Sequence, residues 1–214
     1  GASASIRSTT RSGICCPKVQ STPLSNPGKR SPRRNNPLEM PTSIHKFSQN
    51  QVIGTSEYEL VNETGDALLT HLNRPDVRQA INAVNQPQVH SKEVQSVFLD
   101  FALELGFQSE KKGLFSHYST KGLRPDYFKR ITNTGILLEI ERGKTTQNNM
   151  DLLDFWKCHI CEHANHLFLL VPQSLTQNQD SKPTNEFKKV VNRMEPFFEE
   201  RNYTRVRSLF VFGY

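Results

Sequence analysis

The stretch LRPDYFKRITNTGILLEIERGK, residues 123–144, places three carboxylates around a hydrophobic run: Asp126 behind Pro125, then Glu139 and Glu141 within ILLEIER. Negative charge is costly to bury unless it is paired, hydrogen-bonded or bound to a metal. TNTG, residues 132–135, is a turn signal. Residues 123–130 and 136–142 read as the strands on either side. In the second strand, Ile136, Leu138 and Ile140 face one way, and Leu137, Glu139 and Glu141 the other. A tight turn centred on Thr132 and Asn133 pairs position 126 with position 139. Asp126, Glu139 and Glu141 then share a face, with cross-strand Cβ atoms about 4.5–5.5 Å apart. A slip of one residue would separate them.

Three converging acids need a compensating cation. Oxygen-only donors suit a hard ion, and Mg²⁺ commonly takes one or two carboxylates plus waters and substrate phosphates. Such an ion lowers the pKa of bound water and stabilises charge developing on phosphorus. Arg142 and Lys144 lie just downstream and can contact a scissile phosphate or neutralise the acids. Alternating glutamates alone are more often a solvated strand face. Asp126, at a spacing that can align it with Glu139, shifts that balance.

The rest of the chain sets the context. Its net charge of +6 is unevenly spread. Residues 1–45 carry seven basic residues and one acid, and the remainder is neutral. That basic segment, rich in Ser, Thr, Pro, Asn and Arg, has too few apolar residues to offset the entropy of ordering and is expected to be disordered. Three readings compete for it: a nucleic-acid arm, an organellar transit peptide, or a non-native stretch ahead of the first methionine, Met40. The last is preferred. Residues 46–90 read as a helical N-terminal segment, and residues 91–214 as an α/β core. No apolar run reaches the length of a membrane span, and four scattered cysteines point to a reducing, cytoplasmic setting.

Within the core, SKEVQSVFLDFALELGF begins a helix at Ser91, with Val94, Val97, Phe98, Phe101 and Leu105 on one face and Gly106 as its stop. Residues 107–118 read as a strand or short hairpin bent at Gly113. A helix from Thr145 or Thr146 to about His163 is expected to bury Leu152, Leu153, Trp156, Ile160 and Ala164. HLFLLVP follows as a strand buried on both faces, then a helix interrupted at Pro196 and a last strand in RVRSLFVFGY. The order is helix, three-strand meander, helix, strand, helix, strand: an α/β fold on a mixed sheet.

Pro125-Asp126, a turn, and Glu139-Ile140-Glu141 on a hydrophobic strand, set in that order of elements, resemble the PD-(D/E)XK nuclease superfamily, the fold of many restriction endonucleases. The resemblance spans about 80 to 100 residues and implies a restriction endonuclease-like core. It implies Asp126, Glu139 and Glu141 as metal ligands, with Glu93 of the first helix as a fourth. Glu141 stands where the family usually has lysine. Its role is therefore open between ligand and general base, and Lys144 is the candidate to replace the missing lysine. Gln147 and Asn148, at the opening of the next helix, are candidates for polar contacts to phosphate beside Arg142. The implied activity is Mg²⁺-dependent hydrolysis of DNA phosphodiesters, with Mn²⁺ as a substitute, and a homodimer as the implied assembly. The alternative is an inactive nuclease-fold module that binds nucleic acid or a protein.

CHICEHANH, residues 158–166, offers Cys158, Cys161, His163 and His166 as a zinc set. On one continuous helix these positions scatter, so a zinc site is not favoured. Cys158 and Cys161 are expected on the polar side of that helix, near Asp151 and Asp154.

Overall fold

The computed structural model describes residues 40–85, 91–109, 113–119, 123–143, 145–174 and 184–214. The expected disorder of residues 1–39 lies outside them. The elements are β1 (Ser43–Ser48), α1 (Ser56–Leu72), α2 (Pro75–Val84), α3 (Ser91–Glu104), β2 (Gln108–Ser109), β3 (Tyr127–Ile131) and β4 (Thr134–Ile140). They continue with α4 (Met150–Ile160), β5 (His166–Val171), α5 (Glu186–Met194) and β6 (Ser208–Gly213). Among the described residues the strands form one six-stranded mixed sheet in the order β1-β6-β5-β4-β3-β2. Strands β4, β5 and β6 run parallel, and β1, and β2 with β3, add antiparallel pairings at the two edges.

Period-two alternation sorts the central strands into two faces. Ile136, Leu138, Ile140, Phe168, Leu170, Phe210 and Phe212 pack against α1, α2 and α3. Leu137, Leu167, Leu169, Val171, Leu209 and Val211 pack against α4 and α5. The two crossovers β4-α4-β5 and β5-α5-β6 advance the same way across the sheet, so both helices land on one face. With helices on both faces, β4, β5 and β6 are buried at every position, as continuous apolar strands require.

Several boundaries differ from the sequence expectation. Strand β1 was missed: SIHKFS alternates too weakly to stand out, yet it pairs antiparallel with β6 from Ser43↔Gly213 to Ser48↔Ser208. It overlaps the segment expected to be disordered, and the helices of residues 46–90 belong to the main core rather than to a separate segment. Strand β2 is two residues long. Helix α3 ends where expected, with Gly106 at φ +85° supplying the left-handed residue that commonly closes a helix.

Helix α4 carries the largest correction. It starts at Met150, behind Asn149 at φ 56°, and ends at Ile160. Its buried face is turned from the expected one: Leu152 and Ile160 still pack partly against the core and Ala164 is buried, but Leu153 and Trp156 are not. Asp151, Asp154, Phe155, Lys157 and Cys158 are buried, while Leu153 and Trp156 are 40% and 42% exposed. Cys158 and Cys161 lie fully buried in the apolar cluster, and His166 opens β5, so the Cys/His stretch divides between core and strand.

Candidate active site

The β3–β4 hairpin has the register that the turn spacing predicted. Ile131 faces Thr134 and Tyr127 faces Leu138, which continues to Asp126 opposite Glu139. Thr132 adopts φ 42° at the turn. Gly135 is forced by contact: a Cβ there would lie 2.3 Å from Phe128 Cε2 and 2.8 Å from the Lys129 carbonyl oxygen.

Beyond the last ladder pair, the two acids lock each other to the main chain. The Ile140 amide donates to Asp126 Oδ2 at 2.9 Å, and the Asp126 amide donates to Glu139 Oε2 at 3.2 Å. Gln95 of α3 donates through Nε2 to Asp126 Oδ1 at 2.8 Å. From the other side, α4 brings Lys157, whose Nζ lies 2.7 Å from Glu139 Oε1 and 2.7 Å from Asp154 Oδ1. Glu139 is 3% exposed and Asp154 fully buried. Glu141 follows at the strand end. Its amide donates to the Leu170 carbonyl, and its own carbonyl accepts from the Tyr214 hydroxyl at 2.7 Å.

Electrostatics follow from four carboxyl groups gathered around one ammonium in a dry place. Burial pushes the Glu139 carboxyl well above its ordinary range, and repulsion from Asp154 adds to this, against the pull of Lys157. Burial likewise raises Asp126, opposed by the Ile140 amide, Lys157 and Gln95. Asp154 is raised by burial against the pull of Lys157. Glu141 is pushed up to about 8 by burial and by the charges of Asp154 and Asp126. Interaction between Glu141 and Asp154 pushes Glu141 further up and opposes the rise of Asp154. Burial works against the Lys157 ammonium, but Glu139 and Asp154 outweigh it and hold its pKa above the ordinary lysine value.

The remaining sequence candidates fall elsewhere. Glu93 is exposed on the first turn of α3, and Gln95 reaches Asp126 instead. The two differ by two residues, which turns them to different sides of a helix. Arg142 lies where its charge acts on the Tyr214 phenol. Gln147 and Asn148 are exposed in the turn ahead of α4 rather than inside the helix. That turn is held from α5. Glu186 accepts from the Thr146 hydroxyl at 2.8 Å, and Arg193 donates to the Thr146 carbonyl at 2.8 Å and to Asp151 and Asn149. Lys144 lies outside the described residues.

Sequence reasoning missed Lys157, Asp154 and Gln95. A signal for the first two was present: Asp151, Asp154 and Lys157 recur at helical spacing on one face. By hydrophobicity alone that face is the solvated side, because Leu153 and Trp156 compete with it for the core.

Among the described residues no three His, Cys, Asp or Glu side chains already converge as a metal-ligand set. The donor chemistry nonetheless fits a hard divalent ion. Asp126 and Glu139 offer oxygen only, and each carboxylate has about four lone-pair sites. The protein donors named above use two on each.

No helix among the described residues is long and apolar enough to cross a membrane. No protein-family model and no curated protein matches this chain. Among solved structures, the chain is similar to the restriction endonuclease BglII, determined in complex with a DNA 16-mer. The similarity has a TM-score of 0.40 and 10% sequence identity, covering 81% of this chain and 76% of that one.

Proposed function

We propose that the chain is a Mg²⁺-dependent endonuclease that hydrolyses DNA phosphodiester bonds, with Mn²⁺ able to substitute. The observation that carries this reading is the reciprocal clamp of Asp126 and Glu139 beside a buried lysine, Lys157, at the end of β4. Burying acids this way destabilises a fold unless a cation is served, and Asp126, Glu139 and Asp154 all stay raised despite Lys157, so further positive charge would be accommodated. A divalent ion, when bound, would supply Lewis acidity toward a phosphoryl oxygen and an activated water. Asp126 and Glu139 would hold it. Gln95 would orient Asp126, and Lys157 would orient Glu139 and stand ready to meet negative charge developing on the phosphate. Glu141, protonated near neutrality, would serve as an acid or, once ionised, as a further ligand.

The test is plasmid and linear DNA cleavage in Mg²⁺, Mn²⁺ or EDTA, comparing wild type with Asp126→Asn. Metal-dependent cutting abolished in the variant supports the proposal. Equal cutting by both would trace the activity to another site, and no cutting on any substrate would leave the second reading. That reading is an inert nuclease-fold module that binds DNA or a protein. It is favoured by one observation: Lys157 already neutralises a Glu139 oxygen.

A further inference from the structure

At the other end of the parallel strands, ahead of β6, the chain holds an aromatic ring in water. Tyr203 is 84% exposed. Its backbone is nevertheless well anchored through the buried neighbour Thr204. The Thr204 carbonyl accepts from Gln49 Nε2 at 2.8 Å, its hydroxyl accepts from the Val206 amide at 3.0 Å, and His159 Nδ1 lies 3.2 Å from that hydroxyl. The His159 ring stands edge-on to Tyr203, with centroids 6.4 Å apart.

From Tyr203 onward exposure alternates: Tyr203, Arg205 and Arg207 point outward, Thr204 and Val206 inward. Arg207 spends its charge on Glu57 and the exposed Arg201 pairs with Glu199, each at 2.7 Å. Arg205 sits between them, exposed and two residues from the ring. Beside this rim lies a cavity of about 380 Å³ between the Gln49–Gln51 turn and residues 197–204. It is lined by Phe197 and Phe198, by Asn50, Gln51 and Asn202, and by the charged residues Glu199, Glu200 and Arg201.

We infer that this corner binds an unpaired base of a single-stranded nucleic acid, stacked on Tyr203 with Arg205 on the adjoining phosphate. An exposed ring on a fixed backbone gives a stacking platform that loses little freedom on binding. Stacking beside a cation is the combination that holds single strands without reading sequence, and here Arg205 is the cation, since Arg201 and Arg207 are paired with Glu199 and Glu57. The Gln51 and Asn202 amides donate to Gln49 and to the Pro196 carbonyl and keep their own oxygens as acceptors for a base edge, whereas bases in a duplex have no free face to offer. The site is separated from the acids by the length of the parallel strands, and it does not depend on their being catalytic.

The test is fluorescence anisotropy on the full chain in EDTA, where metal-dependent cleavage cannot intervene. Labelled oligo-dT, the matching RNA oligomer and a duplex of equal length serve as probes. Tyr203→Ala is expected to weaken single-strand binding about tenfold or more, Tyr203→Phe to restore it, and Arg205→Ala to weaken it with a shallower salt dependence. Duplex affinity should not respond to Tyr203. Equal single-strand affinity in wild type and Tyr203→Ala, or no single-strand binding by wild type, would overturn the inference. A second measurement needs no variant: photo-crosslinking of wild type to a 5-iodouracil oligomer should place the adduct on Tyr203. A map without that adduct would also overturn it.

Discussion

Lys157 Nζ stands 2.7 Å from Glu139 Oε1 and the same distance from Asp154 Oδ1, an ammonium sealed between two buried carboxylates that lie on different elements. This bridge ties α4 to β4. Lys157→Met removes the cation and strands both acids, so unfolding free energy should fall by about 3–5 kcal/mol. The loss should be smaller at pH 5 than at pH 8, because without the lysine the acids accept protons more readily and protonation relieves the repulsion. Urea titrations at the two pH values measure both effects.

Glu141→Gln should act in the opposite direction. The Glu141 carboxyl has a pKa of about 8 in the fold against an ordinary 4.5. A raised acid holds extra protons in the folded state, so its contribution to stability is present below about pH 4.5 and is lost as the pH climbs toward 8. Glutamine mimics the protonated form. The variant should match wild type near pH 5 and exceed it by one to a few kcal/mol, an order-of-magnitude figure, at pH 9. Thermal melts across that range would show the divergence, and parallel curves would refute it.

Gln95→Ala removes the side-chain donor to Asp126 Oδ1. Groups that orient a ligand without touching the metal typically matter by about 10- to 100-fold in affinity or activity. On the proposed role of Asp126 as a Mg²⁺ ligand, a fall of that size in apparent Mg²⁺ affinity is expected, with little change in stability because Gln95 is only half buried. Metal titration followed by calorimetry is the measurement.

Gly135→Ala tests the hairpin. The new methyl meets both the Phe128 ring and the Lys129 carbonyl, and backbone cannot swing away as a flexible side chain can. A loss of about 1–3 kcal/mol is expected, together with reduced amide-exchange protection along β3 and β4. Unchanged exchange in the hairpin would count against this account.

His166 gives a separate pH signature. It is fully buried at the start of β5, with Nδ1 2.7 Å from Ser208 Oγ and Nε2 3.0 Å from Glu57 Oε1, while Arg207 competes for Glu57. Burial lowers its pKa below the ordinary 6.5 despite the Glu57 carboxylate. The unfolded chain therefore takes up the proton first, and stability should fall as pH drops below about 6.5. His166→Asn should flatten that slope in urea titrations between pH 7 and 5, at some cost in stability at neutral pH.

The hairpin and the pairing of its acids were legible in the sequence because both are local: a four-residue turn signal and a period of two determine which side chains meet. The β4-α4-β5-α5-β6 order was legible for the same reason, as continuous apolar runs separated by helical patterns. What resisted reading was long-range. Strand β1 finds its partner far along the chain, pairing from Ser43↔Gly213 to Ser48↔Ser208. Gln95 and Lys157 come to the acids from helices on opposite sides of the sheet. Helix α4 misleads because hydrophobicity alone does not decide which side faces inward: Lys157 is held by Glu139 of β4 and Asp151 by Arg193 of α5, partners that the helix sequence does not contain.

That rotated helix sets a limit on how the protein can change. Hydrocarbon in the space beside β4 is the natural alternative, since replacing a buried ionic cluster with well-packed apolar side chains is often neutral or stabilising. A lineage drifting toward greater robustness would therefore erase Asp154, Lys157 and Glu139 early, with the fold surviving the change. Their presence together ties thermal tolerance to whatever task the cluster performs, so hardening this molecule should be sought in the helical layer of α1, α2 and α3, on the far side of the sheet.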